Sequence, residues 1–143
     1  NMLVKTITYT DYNGVSRTED FYFNLSRPEI IEMEYSPDGS LTEMIEKLVS
    51  PADTPTIIRL IKDFILKSYG EKSPDGKRLV KSPELATAFS QTEAYTQLFM
   101  ELVTDSQKAS DFINGVLPTL TPEQKAQIKK TLDEKGVSDS VTI

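Results

Sequence analysis

Cysteine and histidine are both absent from the 143 residues. Without cysteine there is no disulfide framework, no thiolate nucleophile and no Cys-ligated zinc site. Without histidine the chain lacks the commonest metal ligand, the usual neutral-pH proton shuttle and every Ser-His triad. Carboxylates, lysine, tyrosine, serine and threonine are what remain for chemistry. Long apolar runs are missing too: no stretch approaches the ~18 residues of a membrane span, and no charged-then-greasy leader precedes the first strand. Asn1 ahead of Met2 reads as the remnant of a cleaved tag, with Met2 the expected native start. Positive charge is in deficit, Lys+Arg 16 against Asp+Glu 22, for a net charge of −6. Such a surface repels nucleic acid and anionic membrane, so neither is an expected partner. These absences predict a soluble cytoplasmic protein without a cofactor.

What is present is enough apolar material for a core, 38% of the chain. Residues 3–25 predict a β-hairpin. Lys5, Ile7 and Tyr9 alternate with Thr6, Thr8 and Thr10, the period of a half-buried strand. Asp11-Tyr12-Asn13-Gly14 follows, and Asn-Gly predicts a tight turn with positive φ angles. The return strand sets Glu19, Phe21, Phe23 and Leu25 on one face and Asp20, Tyr22 and Asn24 on the other. A two-stranded ribbon is marginal alone, so it must pack on helices or pair with another chain.

From Ser26 the punctuation is helical. Ser26-Arg27-Pro28-Glu29 is a capping box opening a helix that carries Ile30, Ile31, Met33 and Tyr35 and stops at Ser36-Pro37-Asp38-Gly39. Ser40-Leu41-Thr42-Glu43 predicts a second helix through Val49, and Asp53 a cap for a third with Ile57, Ile58, Ile61, Phe64 and Ile65 in one stripe. Gly70 is expected to end that helix as a left-handed cap. Ser73-Pro74-Asp75-Gly76 is a turn, with Arg78-Leu79-Val80 a short strand beyond it. Ser82-Pro83-Glu84-Leu85 starts a fourth helix, and Ser90-Gln91-Thr92-Glu93 is expected to box a fifth bearing Tyr95, Leu98, Phe99, Leu102 and Val103. Asp105 caps a sixth around Phe112 and Ile113, ended by Gly115 and Pro118. Thr121-Pro122-Glu123-Gln124 opens a charged last helix with only Ile128 and Leu132 at apolar spacing, closed by Gly136.

The predicted fold class is therefore α+β, mainly α: an N-terminal β-hairpin followed by six or seven short helices. Strands ahead of helices, without alternation, argue against a parallel α/β sheet. Residues 2–118 form one expected globular domain, with hairpin 3–25 and helical body 26–118; residues 119–143 are a charged helix and polar tail.

Three groups of side chains are candidates for function. The carboxylates Glu29, Glu32, Glu34, Glu43 and Glu46 match no acid/base or metal pattern, and Glu29 and Glu43 are explained as caps. No residue is assigned as catalytic, metal-binding or cofactor-binding. The segment from Lys67 to Lys81 holds five basic residues against two acidic ones; Lys72, Lys77, Arg78 and Lys81 make it a candidate basic loop for an acidic partner or a sister subunit. Lysines there also serve solubility, and the segment lacks the pattern of a phosphate loop. The third group is apolar. Phe21, Tyr22 and Phe23 are candidate protein-interaction residues, since adjacent strand aromatics point to both faces of a small ribbon, and Tyr95, Leu98, Phe99 and Leu102, the apolar stripe of the fifth helix, are candidates beside them. Either helices cover each face or one face is an interface.

The order of these segments is familiar. Lys5-Thr6-Ile7-Thr8-Tyr9-Thr10-Asp11-Tyr12-Asn13-Gly14 with Arg17-Thr18-Glu19-Asp20-Phe21-Tyr22-Phe23-Asn24-Leu25 opens the likeness. It continues through Lys67-Ser68-Tyr69-Gly70, Asp75-Gly76-Lys77-Arg78, Lys81-Ser82, Phe89-Ser90-Gln91-Thr92-Glu93-Ala94-Tyr95, Leu98-Phe99-Met100-Glu101-Leu102 and Phe112-Ile113-Asn114-Gly115. Over roughly residues 3–118 the chain resembles the tail assembly chaperones of long-tailed (siphovirus-type) phages and prophages of Gram-positive bacteria. The resemblance implies a non-enzymatic protein that binds the tape measure protein and keeps it soluble before tail-tube polymerisation. It also implies self-association or a frameshifted longer form as further partners, work in the host bacterial cytoplasm and absence from the mature virion. The alternative is a structural tail or connector component retained in the particle. A small nucleic-acid binder acting through the Lys67–Lys81 segment is disfavoured by net charge, and an enzyme ranks last.

Overall fold

The computed structural model describes residues 2–36, 43, 46, 54–117 and 120–135. Strands β1 (Leu3–Thr10) and β2 (Ser16–Phe23) form the predicted hairpin, in register from Leu3 opposite Phe23 to Thr10 opposite Ser16. The turn is closed by Asp11, whose Oδ1 accepts from the Asn13 and Val15 amides, each at 2.9 Å. Within this turn only Gly14 takes a positive φ, 79°. Asn13 does not, contrary to the expectation for Asn-Gly: with Asp11 holding the loop, glycine alone supplies the left-handed residue of a longer hairpin turn.

Six helices occur among the described residues: α1 (Arg27–Glu34), α2 (Thr54–Ser68), α3 (Pro83–Ser90), α4 (Glu93–Thr104), α5 (Ser106–Val116) and α6 (Pro122–Lys135). The α+β, mainly α class holds. Between α2 and α3 the chain adds strands β3 (Tyr69–Lys72) and β4 (Leu79–Val80), so the hairpin widens into a four-stranded antiparallel sheet in the order β1-β2-β3-β4. The Ser40 box, the helix it opens, the Asp53 cap, Pro118 and Gly136 lie outside the described residues, apart from Glu43 and Glu46, which are helical and exposed.

The caps form where hydroxyl and carboxylate side chains meet orphan amides. Ser26 and Glu29 make the reciprocal box, with Ser26 Oγ accepting from Glu29 N at 3.3 Å and Glu29 Oε1 accepting from Ser26 N at 3.0 Å. Thr121 and Gln124 repeat it at 3.1 and 2.9 Å. Asp105 accepts from the Gln107 and Lys108 amides. The fifth predicted helix is capped by Thr92, not boxed from Ser90, because Ser90 still belongs to α3 and bonds back to the Thr87 carbonyl.

Gly70 is not a left-handed cap. The Ser68 hydroxyl folds back on the Phe64 carbonyl at 2.6 Å, and the Ser68 carbonyl accepts the Asn24 amide at 2.8 Å, so α2 runs directly into β3 beside β2. Glycine is needed at position 70 because a Cβ there would sit 2.6 Å from Leu79 Cγ across the β3–β4 pair. Likewise Gly115 does not end α5; it lies inside the helix where Leu3 of β1 packs closely, and a Cβ would meet Leu3 methyls at 3.3 Å.

The core lies between the sheet and the helices. Ile7, Phe23, Ile57, Ile61, Phe64, Ile65, Leu98, Phe112 and Ile113 are buried in one cluster. Ile128 and Leu132 of α6 belong to the same cluster, with α6 packed on α5 and α2.

Candidate protein-interaction surface

Strand alternation decides where the candidate aromatics go. Odd-numbered residues of β1 and β2 face the helices; the even-numbered ones face away. Phe23 is fully buried at 0% exposure, with Phe112 at 5.2 Å, Tyr69 at 5.8 Å and Phe89 at 5.9 Å between ring centroids. Leu98 and Leu102 are buried beneath α4 in the same core. Phe21, Tyr95 and Phe99 are half-buried, and ring contacts join them into a row. Tyr9 meets Phe21 at 6.3 Å, Phe21 meets Phe89 at 5.4 Å, Phe89 meets Tyr95 edge-on at 5.7 Å, and Tyr95 stacks on Phe99 at 5.7 Å. Phe89 itself is buried and stacks flat on Tyr69 at 4.1 Å. The row is thus buried underneath and partly open above, with its rings in edge-to-face and offset contacts.

Titration follows this burial. Tyr69 is pushed up to about 12, chiefly by burial, with the Glu71 and Glu19 charges adding to it. Tyr95 is raised by burial and then by Asp63. Tyr9 is raised by donating a hydrogen bond to Glu19, with burial second. All three remain neutral donors at any physiological pH.

Tyr22 stands apart from the other six. It lies on the far face of the sheet, where the Lys72 ammonium sits 5.0 Å above its ring centroid, a cation–π contact. Lys72, Lys77 and Arg78 are exposed on the β3–β4 hairpin, where Asp75 holds the turn by accepting from Ser73 Oγ at 2.6 Å and Lys77 N at 3.0 Å. Lys81 is used otherwise. Its ammonium reaches both Glu29 oxygens, at 2.8 and 2.7 Å, and the Asn24 carbonyl, fastening the start of α1 to the sheet. Burial raises the Glu29 carboxyl, but the Lys81 and Ser26 hydrogen bonds outweigh it and the net position is below the ordinary range. Beside this pair runs a groove of about 430 Å³ lined by Leu66, Lys67, Tyr69, Lys81 and Ala86.

A family model described as phage tail assembly chaperone matches residues 2–141. The chain belongs to that family. No curated protein and no solved structure gave a match. Membership supports a role as a tail assembly chaperone, with phage tail proteins as its partners. The matched range takes in α6, so the family pattern extends past residue 118, where the resemblance read from the sequence stopped.

Two features of this chaperone-family chain were left open by the sequence. One is the place of Phe89: its core-like spacing predicts the burial that the structure shows, but not that it joins Phe21 to Tyr95. The other is the outer surface of the hairpin. Val4, Thr6, Thr8 and Thr10 of β1 and Ser16, Thr18 and Asp20 of β2 are all exposed, so among the described residues the helices cover one face of this ribbon.

Proposed function

We propose that this chain binds the tape measure protein of its phage and keeps that long chain soluble until tail-tube subunits polymerise around it. The observation that carries the reading is the half-buried row Phe21, Tyr95 and Phe99 over buried Phe89, considered together with family membership. Such a row suits the apolar stripe of an amphipathic client helix, which docks by burying one face in a preformed groove. On this reading the chain is non-enzymatic, serves phages of Gram-positive hosts, acts in the host cytoplasm and is absent from the finished virion. The net charge of −6 keeps a loaded complex dispersed.

The test is co-expression with the neighbouring long, tape-measure-like reading frame, followed by size-exclusion chromatography with light scattering. A soluble complex with several copies per client is expected. Phe99→Ala should lower the copies retained at least fivefold while the protein still melts cooperatively; Leu98→Ala, which hollows the core, should cost stability first. An insoluble long protein with this chain eluting alone would refute the proposal. Stoichiometric amounts in purified virions would identify a structural tail component instead.

A further inference from the structure

We infer that the outer face of the sheet docks an acidic amphipathic segment of a second protein. Its apolar side chains would lie on a strip made by Val4, Tyr22 and Leu79, and its carboxylates would meet Lys72, Lys77 and Arg78. This goes beyond the tape measure reading and does not depend on it, because the aromatic row lies on the helix-facing side. The register assembles the strip. Val4 pairs with Tyr22 and Tyr22 with Gly70, so all three share the outward face. Gly70 raises no side chain there, and Leu79 of β4 leans into the space, its Cγ 2.6 Å from where a Cβ would sit. Three strand spacings of ~4.8 Å make the strip about 14 Å long. Val4 is 44% exposed, and Met2 just ahead of β1 is 39% exposed; Tyr22 and Leu79 are half-buried. The remainder of this face, with Thr6, Thr8, Thr10, Ser16, Thr18 and Asp20, is polar.

Charge beside the strip selects the partner. Lys72 holds its ammonium 5.0 Å above the Tyr22 ring, and Lys77 and Arg78 follow on the exposed β3–β4 turn. Among the described residues no carboxylate lies within ion-pair distance of these three cations, in a chain whose net charge is −6. The carboxylates around them are engaged elsewhere. Asp75 accepts from Ser73 Oγ and Lys77 N inside the turn, and Asp20 accepts from Thr6 Oγ1 at 2.6 Å. Glu71, next to Lys72 in β3, is on the opposite face by strand alternation.

An acidic peptide segment fits both halves of this surface. A helix with apolar residues at i, i+3 or i+4, and i+7 presents one contact every ~5.4 Å, close to the spacing of the strands beneath it. Asp or Glu beside that stripe then neutralises the three free cations. A nucleic acid would meet the cations but leave Val4 and Leu79 uncovered, and the negative body of the chain repels it. A second copy meeting the strip through this same face would bring three more cations and leave both sets without carboxylates.

The experiment is fluorescence anisotropy of labelled model peptides, each about 14 residues and ~21 Å long as a helix, against the full chain. One carries a leucine stripe with glutamate at its other positions. The second keeps the stripe but has lysine for glutamate, and the third keeps glutamate but has alanine for leucine. The first should bind about tenfold more tightly than either control, and more weakly as salt is raised. Lys77→Glu with Arg78→Glu should weaken it about tenfold. Val4→Thr, which keeps a β-branched side chain but removes apolar surface, should weaken it about threefold. Phe99→Ala, on the client row, should leave it unchanged, so the outcome is separate from that of the tape measure complex. Should the double variant fail to fold, amide shifts of the wild type decide: changes at Val4, Tyr22, Lys72 and Leu79 support the site, and changes confined to Tyr95 and Phe99 refute it. No binding of the first peptide, equal binding of either control, or loss of binding in Phe99→Ala would overturn the inference. Tighter binding of duplex DNA, or dimers of the chain dissolved by the double substitution, would give the face to another occupant and overturn it as well.

Discussion

Replacing Ile128 with alanine measures how far α6 belongs to the cooperative unit. Ile128 is 1% exposed and Leu132 2%, on a helix whose remaining surface is mostly charged or polar. The substitution deletes three carbons. At ~0.8 kcal/mol per buried methylene their transfer is worth ~2.4 kcal/mol. The cavity left against α5 and α2 brings the cost to ~3 kcal/mol, a large share of the ~5–15 kcal/mol of a typical domain. With a urea slope of ~1.5–2 kcal/mol/M, the unfolding midpoint should fall by about 1.5–2 M. Leu132→Ala should behave alike, and exposed Glu134→Ala should stay within ~0.5 kcal/mol of wild type. A midpoint within ~0.2 M of wild type for Ile128→Ala would refute the reasoning. It would mean that α6 opens without the rest of the fold and that its burial contributes nothing to global stability.

Gly70→Val should lower the thermal midpoint, since its Cβ must displace Leu79; overpacking of this kind costs ~1–3 kcal/mol, and Gly70→Val with an unchanged melt would show that β4 yields freely. Lys81→Met should cost ~1 kcal/mol at neutral pH, a figure discounted for the partial exposure of the Lys81–Glu29 pair. Because the folded Glu29 pKa is lowered, that stabilisation is complete above the ordinary carboxylate range and is lost as pH falls through the lowered value. Urea melts of wild type and Lys81→Met should therefore converge on acidification, and a difference independent of pH would exclude the ion pair as its source.

Much of this fold is written in local residue chemistry. The Ser26–Glu29 and Thr121–Gln124 boxes and the Asp105 cap needed only a side-chain oxygen two or three residues ahead of an orphan amide. The parity of Phe21, Tyr22 and Phe23 likewise follows from the strand period. Gly70 was illegible for a physical reason. A glycine after a helical stripe has two uses, a left-handed cap or room for a neighbouring chain, and only the approach of Leu79 from nine residues later selects the second. Ser90 and Thr92 pose the same problem at a shorter range. Both are capping residues, and the choice rests on α3 continuing through Ser90 until Phe89 has reached Tyr69.

The candidate surface divides along that same line. Sequence parity separates Phe21 from Tyr22, but it cannot say which face the helices will cover. Once they cover the odd-numbered face, Phe23, Leu98 and Leu102 fill the core, while Phe21, Tyr95 and Phe99 stay half-buried at its rim. The outer ribbon face, with its threonines, then needs no helix, because its exposed side chains are mostly polar. The aromatic row offers side chains that can be removed one at a time. Phe99→Ala takes away the outer ring of the Tyr95–Phe99 stack, while the buried rings of Phe89 and Tyr69 beneath it keep their own stack. A client-binding defect without loss of cooperative melting would follow from that division alone.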